Sequence, residues 1–155
     1  MKAPSFAGLV PASPAASLAK RMNRSADTKH EVLLRSSLWR RGLRFRKNSA
    51  DLPGKPDIVF VSARVVVFCD GDFWHARNWR RLSLQLRKRA NPDYWREKIR
   101  TNRIRDRRTA ALLTRLGWRV IRLWESDIHA NPKNAAVVVE RAVAGRRGQD
   151  RRCAS

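Results

Sequence analysis

The chain has 155 residues and carries 35 Lys and Arg against 13 Asp and Glu, a formal net charge of +22. That length gives room for one domain with one modest core, so any binding surface and any reaction centre must share a fold. The positive excess is far beyond what solubility needs and points to a polyanionic partner, whereas 43% hydrophobic residues and six Trp exclude a purely electrostatic tail. Histone-like and ribosomal proteins share such a composition, so motifs must decide between them and an enzyme. Cys69 and Cys153 form neither a disulfide framework nor a paired metal-ligand spacing, which suits a reducing cytoplasm. The sequence shows no apolar run near the roughly 18 residues of a membrane span and no compact secretory signal.

In chain order, residues 1–23 are rich in Ala, Ser and Pro without periodicity and read as a flexible arm. The folded domain is expected over 24–145, and 146–155 as a basic disordered tail. Asp27 or Thr28 can cap a first helix with apolar positions Val32, Leu34, Leu38 and Trp39, stopped by Gly42. Leu43 and Phe45 alternate with Arg44 and Arg46 as in a half-buried strand, followed by the turn-rich stretch 48–55. Asp57 to Val61 and Val65 to Cys69 are β-branched runs, the second apolar throughout and therefore covered on both faces. Residues 70–90 show no clear period. Asn91-Pro92 starts a long helix to about Leu116, Trp118 to Trp124 reads as a strand, and Asn131-Pro132 starts a last helix to about Ala144. The order α-β-β-β-α-β-α predicts an α/β fold with a central mixed sheet flanked by helices.

The chemistry concentrates at two strand ends. Leu52-Pro53-Gly54-Lys55-Pro56-Asp57 places a carboxylate at the start of one strand, and Asp70-Gly71-Asp72 follows the next, so neighbouring strands bring Asp57 and Asp70 together. Magnesium takes hard oxygen ligands and keeps several waters, so one or two carboxylates, a backbone carbonyl such as that of Cys69, and a DNA phosphate suffice to hold it. Asp also opens turns and caps helices, and a lone Pro-Asp pair would be read that way. Here Phe73-Trp74-His75 follows directly, placing aromatic rings and an imidazole beside the acids.

Together these segments resemble the very-short-patch-repair (Vsr-type) DNA mismatch endonucleases, which share the restriction-endonuclease-like core. The resemblance runs from about Met22 to Ile128. It includes Asp27-Thr28 with Glu31, Gly42 to Arg46, Leu52 to Asp57, Phe73-Trp74-His75, Tyr94 to Ile99, Arg105 to Arg108, Gly117 to Val120, and Trp124-Glu125. It implies that Asp57 and the Cys69 carbonyl bind magnesium, that His75 is general base or proton relay, that Glu31 supports the site, and that Asp106 partners His75. A histidine with an ordinary pKa near 6.5 suits proton transfer at neutral pH. Phe73, Trp74 and Trp95 match aromatics that resemble wedges beside a mismatched pair; base–aromatic stacking contributes roughly 1–3 kcal/mol per base. Trp95 also lies at helical spacing from Ile99 and suits the core equally well. Arg77, Arg80 and Arg81, with Lys55, are expected on phosphates, which identify no base sequence.

The sequence departs from the family where its best-known members carry structural zinc. Asp72, Arg77, Trp79 and Ser126 stand at those positions, so zinc is not expected there, and Trp79 is suited to fill the vacated volume. Asp70 replaces a usual histidine and is expected to bind metal or water. The expected activity is magnesium-dependent nicking of one strand of double-stranded DNA at or next to a thymine–guanine mismatch, by a monomer in the bacterial cytoplasm at the nucleoid. The alternatives are a related defence or restriction nuclease without mismatch selectivity, and a non-catalytic basic DNA-binding protein.

Overall fold

The computed structural model describes residues 26–153. The expected N-terminal arm lies outside them. Helix α1 spans Lys29–Arg40, strand β1 Arg46–Lys47, β2 Ile58–Phe60 and β3 Val65–Asp70. Helices α2, Trp79–Arg87, and α3, Pro92–Arg115, precede β4, Arg119–Trp124. Two further helices, α4 at Glu125–Ala130 and α5 at Pro132–Cys153, complete the order. The sheet is mixed and four-stranded, in the order β1-β2-β3-β4. The first two pairings are antiparallel and β3–β4 is parallel, with Phe68 opposite Arg122 and Asp70 opposite Trp124.

The apolar run Val65 to Phe68 of β3 is buried on both faces, as its composition predicts. Ile58, Phe60, Val65 and Val67 pack against Leu34 and Leu38 of α1, Ile128 of α4, and Ala135, Ala136, Val139 and Val143 of α5. Val59, Val66 and Phe68 meet Leu113 of α3, with Leu52, Trp118 and Val120 around them. A smaller cluster of Ala76, Leu86 and Ile99, bordered by Phe73, Trp79, Leu82 and Trp95, joins α2 to α3. No helix among the described residues is long and apolar enough to cross a membrane.

Several expectations are corrected. Val32 and Trp39 are 48% and 56% exposed rather than core, because α1 turns Leu34 and Leu38 to the sheet and His30 and Glu31 toward the strand ends; Trp39 instead carries the Arg44 guanidinium 3.7 Å from its ring centroid. The strand expected from Leu43 begins to pair only at Arg46, although Leu43 and Phe45 remain half-buried. A helix, α2, occupies part of the segment without clear period; Asn78 caps it by accepting from the Arg81 amide, and one apolar side chain, Leu86, is buried. The last helix passes its expected end at Ala144 and continues to Cys153 where a disordered tail was expected. Gly145 and Gly148 each cost a helix only about 1 kcal/mol, and Arg146 anchors the segment by donating to the Gly117 carbonyl.

The approach to Asp57 depends on one glycine. Gly54 adopts φ +77°, and the Lys55 amide closes the turn onto the Leu52 carbonyl at 3.1 Å. A Cβ at Gly54 would stand 2.4 Å from Thr109 Cγ2 on α3. Backbone strain of about 1–2 kcal/mol and overpacking of about 1–3 kcal/mol should therefore destabilise Gly54→Ala. In urea unfolding, Thr109→Ser should recover the overpacking part when combined with Gly54→Ala. Strictly additive losses in the double variant would show that the close approach to α3 is not the cause.

Candidate active site

The parallel pairing of β3 with β4 builds the centre. On the face toward α3, Phe68 and Asp70 alternate along β3 while Val120, Arg122 and Trp124 alternate along β4. Arg122 therefore points at Asp70, and Nε and Nη2 donate to its two carboxylate oxygens at 2.6 Å each. Arg122 Nη2 also lies 3.4 Å from Asp106 Oδ2 on α3, and its guanidinium carbon lies 4.9 Å from the Phe68 ring centroid. Burial works against the Arg122 charge, but the Asp70 hydrogen bond and the Asp70, Asp106 and Asp57 carboxylates outweigh it and raise its pKa further.

His75 sits on the turn after β3. Its Nδ1 is 2.5 Å from Asp106 Oδ2 and 3.8 Å from Asp70 Oδ1. A carboxylate so close requires the proton on Nδ1, which leaves Nε2 as the acceptor in the neutral ring. Burial would raise the Asp106 pKa, but the hydrogen bond to His75 and the charges of His75, Arg122 and Arg105 hold it below the usual carboxylate range. The turn is tied down by the His75 amide on Gly71 at 3.2 Å and the Arg77 amide on Asp72 at 3.1 Å. Asn102 of α3 also donates to the Trp74 carbonyl at 3.2 Å.

Asp57 lies at the neighbouring strand end and accepts from the Cys69 amide at 2.7 Å. Glu31, 3% exposed on α1, accepts from the Asp27 amide at 2.9 Å and from Thr28 Oγ1 at 2.7 Å, while Arg35 pairs with Asp27 at 2.5 Å and stands 3.6 Å from Glu31. Asp57 is pushed up to about 6, first by burial and also by Glu31 and Asp70, against the Cys69 amide and Arg35, which lower it. Burial, Asp57, Glu31 and Asp70 together push the Cys69 thiol far up, so it stays a neutral thiol. Arg35 and Arg122 are held by other carboxylates, so the Asp57 oxygens keep an excess of negative charge beside the Cys69 backbone. An all-oxygen, anionic position of this kind fits a hard divalent cation.

The structure brings Asp57, Cys69, Asp70, His75, Asp106 and Glu31 to one region of the sheet. Asp70, expected to hold metal or water, accepts from Arg122 on both oxygens, and the guanidinium balances its charge. Arg122 itself was missed, yet the alternation of Trp118, Val120, Arg122 and Trp124 leaves it the one charge on an otherwise apolar and aromatic strand face, a signal the sequence carries. Phe73, Trp74 and Trp95 are half-buried and form one cluster, with centroids 5.1 Å apart for Phe73–Trp74, 5.6 Å for Phe73–Trp95 and 5.8 Å for Trp74–Trp95. Trp95 also borders the Ile99 cluster, so it backs the two loop aromatics.

Arg77, expected on phosphate, binds Asp127 at 2.7 Å and Ser126 Oγ at 2.5 Å, with Asp72 at 4.0 Å. It ties the His75 turn to α4. Three of the positions that correspond to family zinc ligands, Asp72, Arg77 and Ser126, are thus joined by polar contacts, and Trp79 packs beside Ala76, Leu86 and Ile99. Arg80, Arg81 and Lys55 are exposed.

Asp57 bears on stability with a defined sign. An acid whose pKa rises on folding contributes most below its unfolded value, and that contribution is lost as pH rises through the folded value. Asp57→Asn keeps an acceptor for the Cys69 amide without the charge. It should therefore be about 2–3 kcal/mol more stable than wild type at pH 8, a gap that closes toward pH 4. Urea unfolding across that range checks this, and a gap independent of pH would mean that the buried charge is not what destabilises the site.

Comparison with known proteins assigns the chain. A family model described as DNA mismatch endonuclease Vsr matches residues 13–81. The type II nicking enzyme V.NmeDIP of Neisseria meningitidis serogroup C is 38% identical over 126 residues, covering 81% of this chain and 84% of that protein. The type II nicking enzyme V.HpaIIP of Haemophilus parainfluenzae is 35% identical over 127 residues, covering 80% and 86%. The DNA mismatch endonuclease Vsr of Escherichia coli is 39% identical over 107 residues, covering 69% and 67%. The chain therefore belongs to the DNA mismatch endonuclease Vsr family and is a DNA endonuclease with a restriction-endonuclease-like core.

Proposed function

We propose that this endonuclease nicks one strand of double-stranded DNA at or next to a thymine–guanine mismatch, using magnesium held by Asp57 and the Cys69 carbonyl. The observation that carries the reading is the short His75–Asp106 contact at 2.5 Å, in a centre whose neighbouring strand end carries the half-buried Asp57 with its raised pKa. A bound magnesium ion supplies Lewis-acid stabilisation of charge on the cleaved phosphate.

The protein residues do the rest. Asp106 holds the Nδ1 proton of His75 and fixes the ring, so Nε2 takes a proton from the attacking water. The water oxygen bonds to phosphorus as the bond from phosphorus to the leaving sugar oxygen breaks. Asp70 anchors Arg122, whose charge in turn steadies Asp106. Phe73 and Trp74, backed by Trp95, enter the stack where a mismatch lowers the cost of unstacking. Arg80, Arg81 and Lys55 contact phosphates, and the net charge of +22 makes binding weaken steeply with salt. The names of the relatives, nicking enzymes and a mismatch endonuclease, support the reading.

Strand-specific nicking of a thymine–guanine duplex and its matched control, with magnesium and with chelator, tests it. Wild type should cut only the mismatched duplex and only with magnesium. Asp57→Ala should bind DNA but fail to cut, and His75→Ala should lose about 10²–10⁴-fold in rate; unchanged cutting by Asp57→Ala would refute the site. Equal cutting of both duplexes by wild type would favour a restriction-type nickase, and binding without any cutting would favour a non-catalytic binding protein.

Phe73→Ala addresses selectivity separately. Its preference for mismatched over matched DNA should fall about tenfold, in line with the loss of one stacking contact. An unaltered preference would remove the wedge.

A further inference from the structure

Bordering the nuclease centre but outside its acid and histidine set, His30 of α1 and Glu125 and His129 of α4 each place one ligand atom within 4.8 Å of the others. His30 Nδ1 is 3.8 Å from Glu125 Oε1, and His129 Nε2 is 4.0 Å from the same oxygen. The two imidazole rings meet edge to face with centroids 6.1 Å apart. Glu125 and His129 are spaced i, i+4 and so share one side of α4.

The hydrogen-bond inventory shows what this trio lacks. Thr28 has one hydroxyl proton, and it goes to Glu31 Oε1 at 2.7 Å. Its oxygen, 3.1 Å from His30 Nε2, can then only accept from that nitrogen. The neutral ring is left with a bare lone pair on Nδ1, the nitrogen facing the Glu125 carboxylate. His30 is only 7% exposed, so bulk water does little to separate the two. Two imidazole nitrogens and a carboxylate oxygen converge, and with Nδ1 bare no hydrogen stands between His30 and Glu125. A cation completes such an arrangement.

We propose that His30, Glu125 and His129 bind a borderline divalent ion of the zinc class, with the remaining coordination position filled by water. Two imidazoles and one carboxylate are a zinc donor set and a poor magnesium one. Bonds of roughly 2.0–2.2 Å at tetrahedral angles put ligand atoms about 3.3–3.5 Å apart, against 3.8 and 4.0 Å for the two nitrogen–Glu125 separations present. The Glu31–Thr28–His30 chain supplies the outer hydrogen bond that fixes a metal-bound imidazole in one tautomer. Glu125 and His129 are 42% and 41% exposed, so the position is open to solvent. The ion would tie α1, which carries Glu31, to α4, which follows directly on the strand paired with Asp70.

Metal-stripped full-length protein titrated calorimetrically with zinc alone, in a background of excess magnesium, tests this. Wild type should bind one zinc per chain and melt at higher temperature with zinc present. His129→Ala removes an exposed ring, so it should fold normally by circular dichroism, bind zinc at least about tenfold more weakly, and lose the thermal shift. His75→Ala, in the nuclease centre, should keep both. The proposal is overturned if wild type shows no saturable zinc binding, the outcome expected if a second proton on His30 fills the gap instead. It is equally overturned if binding survives His129→Ala but is lost in His75→Ala.

Discussion

Both oxygens of Asp70 lie 2.6 Å from the Arg122 guanidinium, and the rest of the centre is arranged around that pair. Four carboxylates, Glu31, Asp57, Asp70 and Asp106, gather at the ends of the central strands, where partial burial strengthens every repulsion between them. Arg122 neutralises Asp70 and stands 3.4 Å from Asp106, so Asp106 remains ionised and can hold His75. Asp57 is left without a matching cation, and its pKa rises to about 6 as a result of burial and its acidic neighbours. Charge excess at Asp57 and charge balance at Asp70 and Asp106 divide the site into a cation-binding half and a proton-transfer half.

The fold makes this division geometric. A parallel β3–β4 pair aligns Asp70 with the β4 face that carries Arg122, while the antiparallel β2–β3 pair sets Asp57 beside Cys69. Apolar packing on both sheet faces holds those registers, and one residue of slip would turn Arg122 away from Asp70. The segment between β3 and β4 adds His75, the aromatic cluster and, on α3, Asp106. Arg77 then ties the His75 turn to α4 through Asp127 and Ser126.

Much of this is legible in the sequence because its signals are local. The apolar run at Val65 to Cys69, the Asn-Pro helix starts and the Pro-Gly turn before Asp57 each state their own structure. The acids and the histidine lie at strand ends where pattern alone places them near one another. Less legible is α2, a nine-residue helix whose apolar stripe of Trp79, Leu82 and Leu86 is short and interrupted by arginines within an otherwise irregular segment. Val32 and Trp39 fit the helical spacing of α1 as well as Leu34 and Leu38 do, and only the docking against α5 and the sheet selects between them. The Asp70–Arg122 pair depends on strand register, and the Arg77–Asp127 pair on the docking of the His75 turn against α4, so in both the partners come from distant segments.

The central claim is that Asp106 holds the proton on His75 Nδ1 and leaves Nε2 to act on water. Long-range ¹H–¹⁵N spectra of histidine-labelled protein test it most directly, with His30 and His129 assigned by substitution. The account predicts a neutral His75 protonated at Nδ1, with Asp106→Asn removing that preference. A His75 ring protonated at Nε2 in the wild-type protein would contradict it.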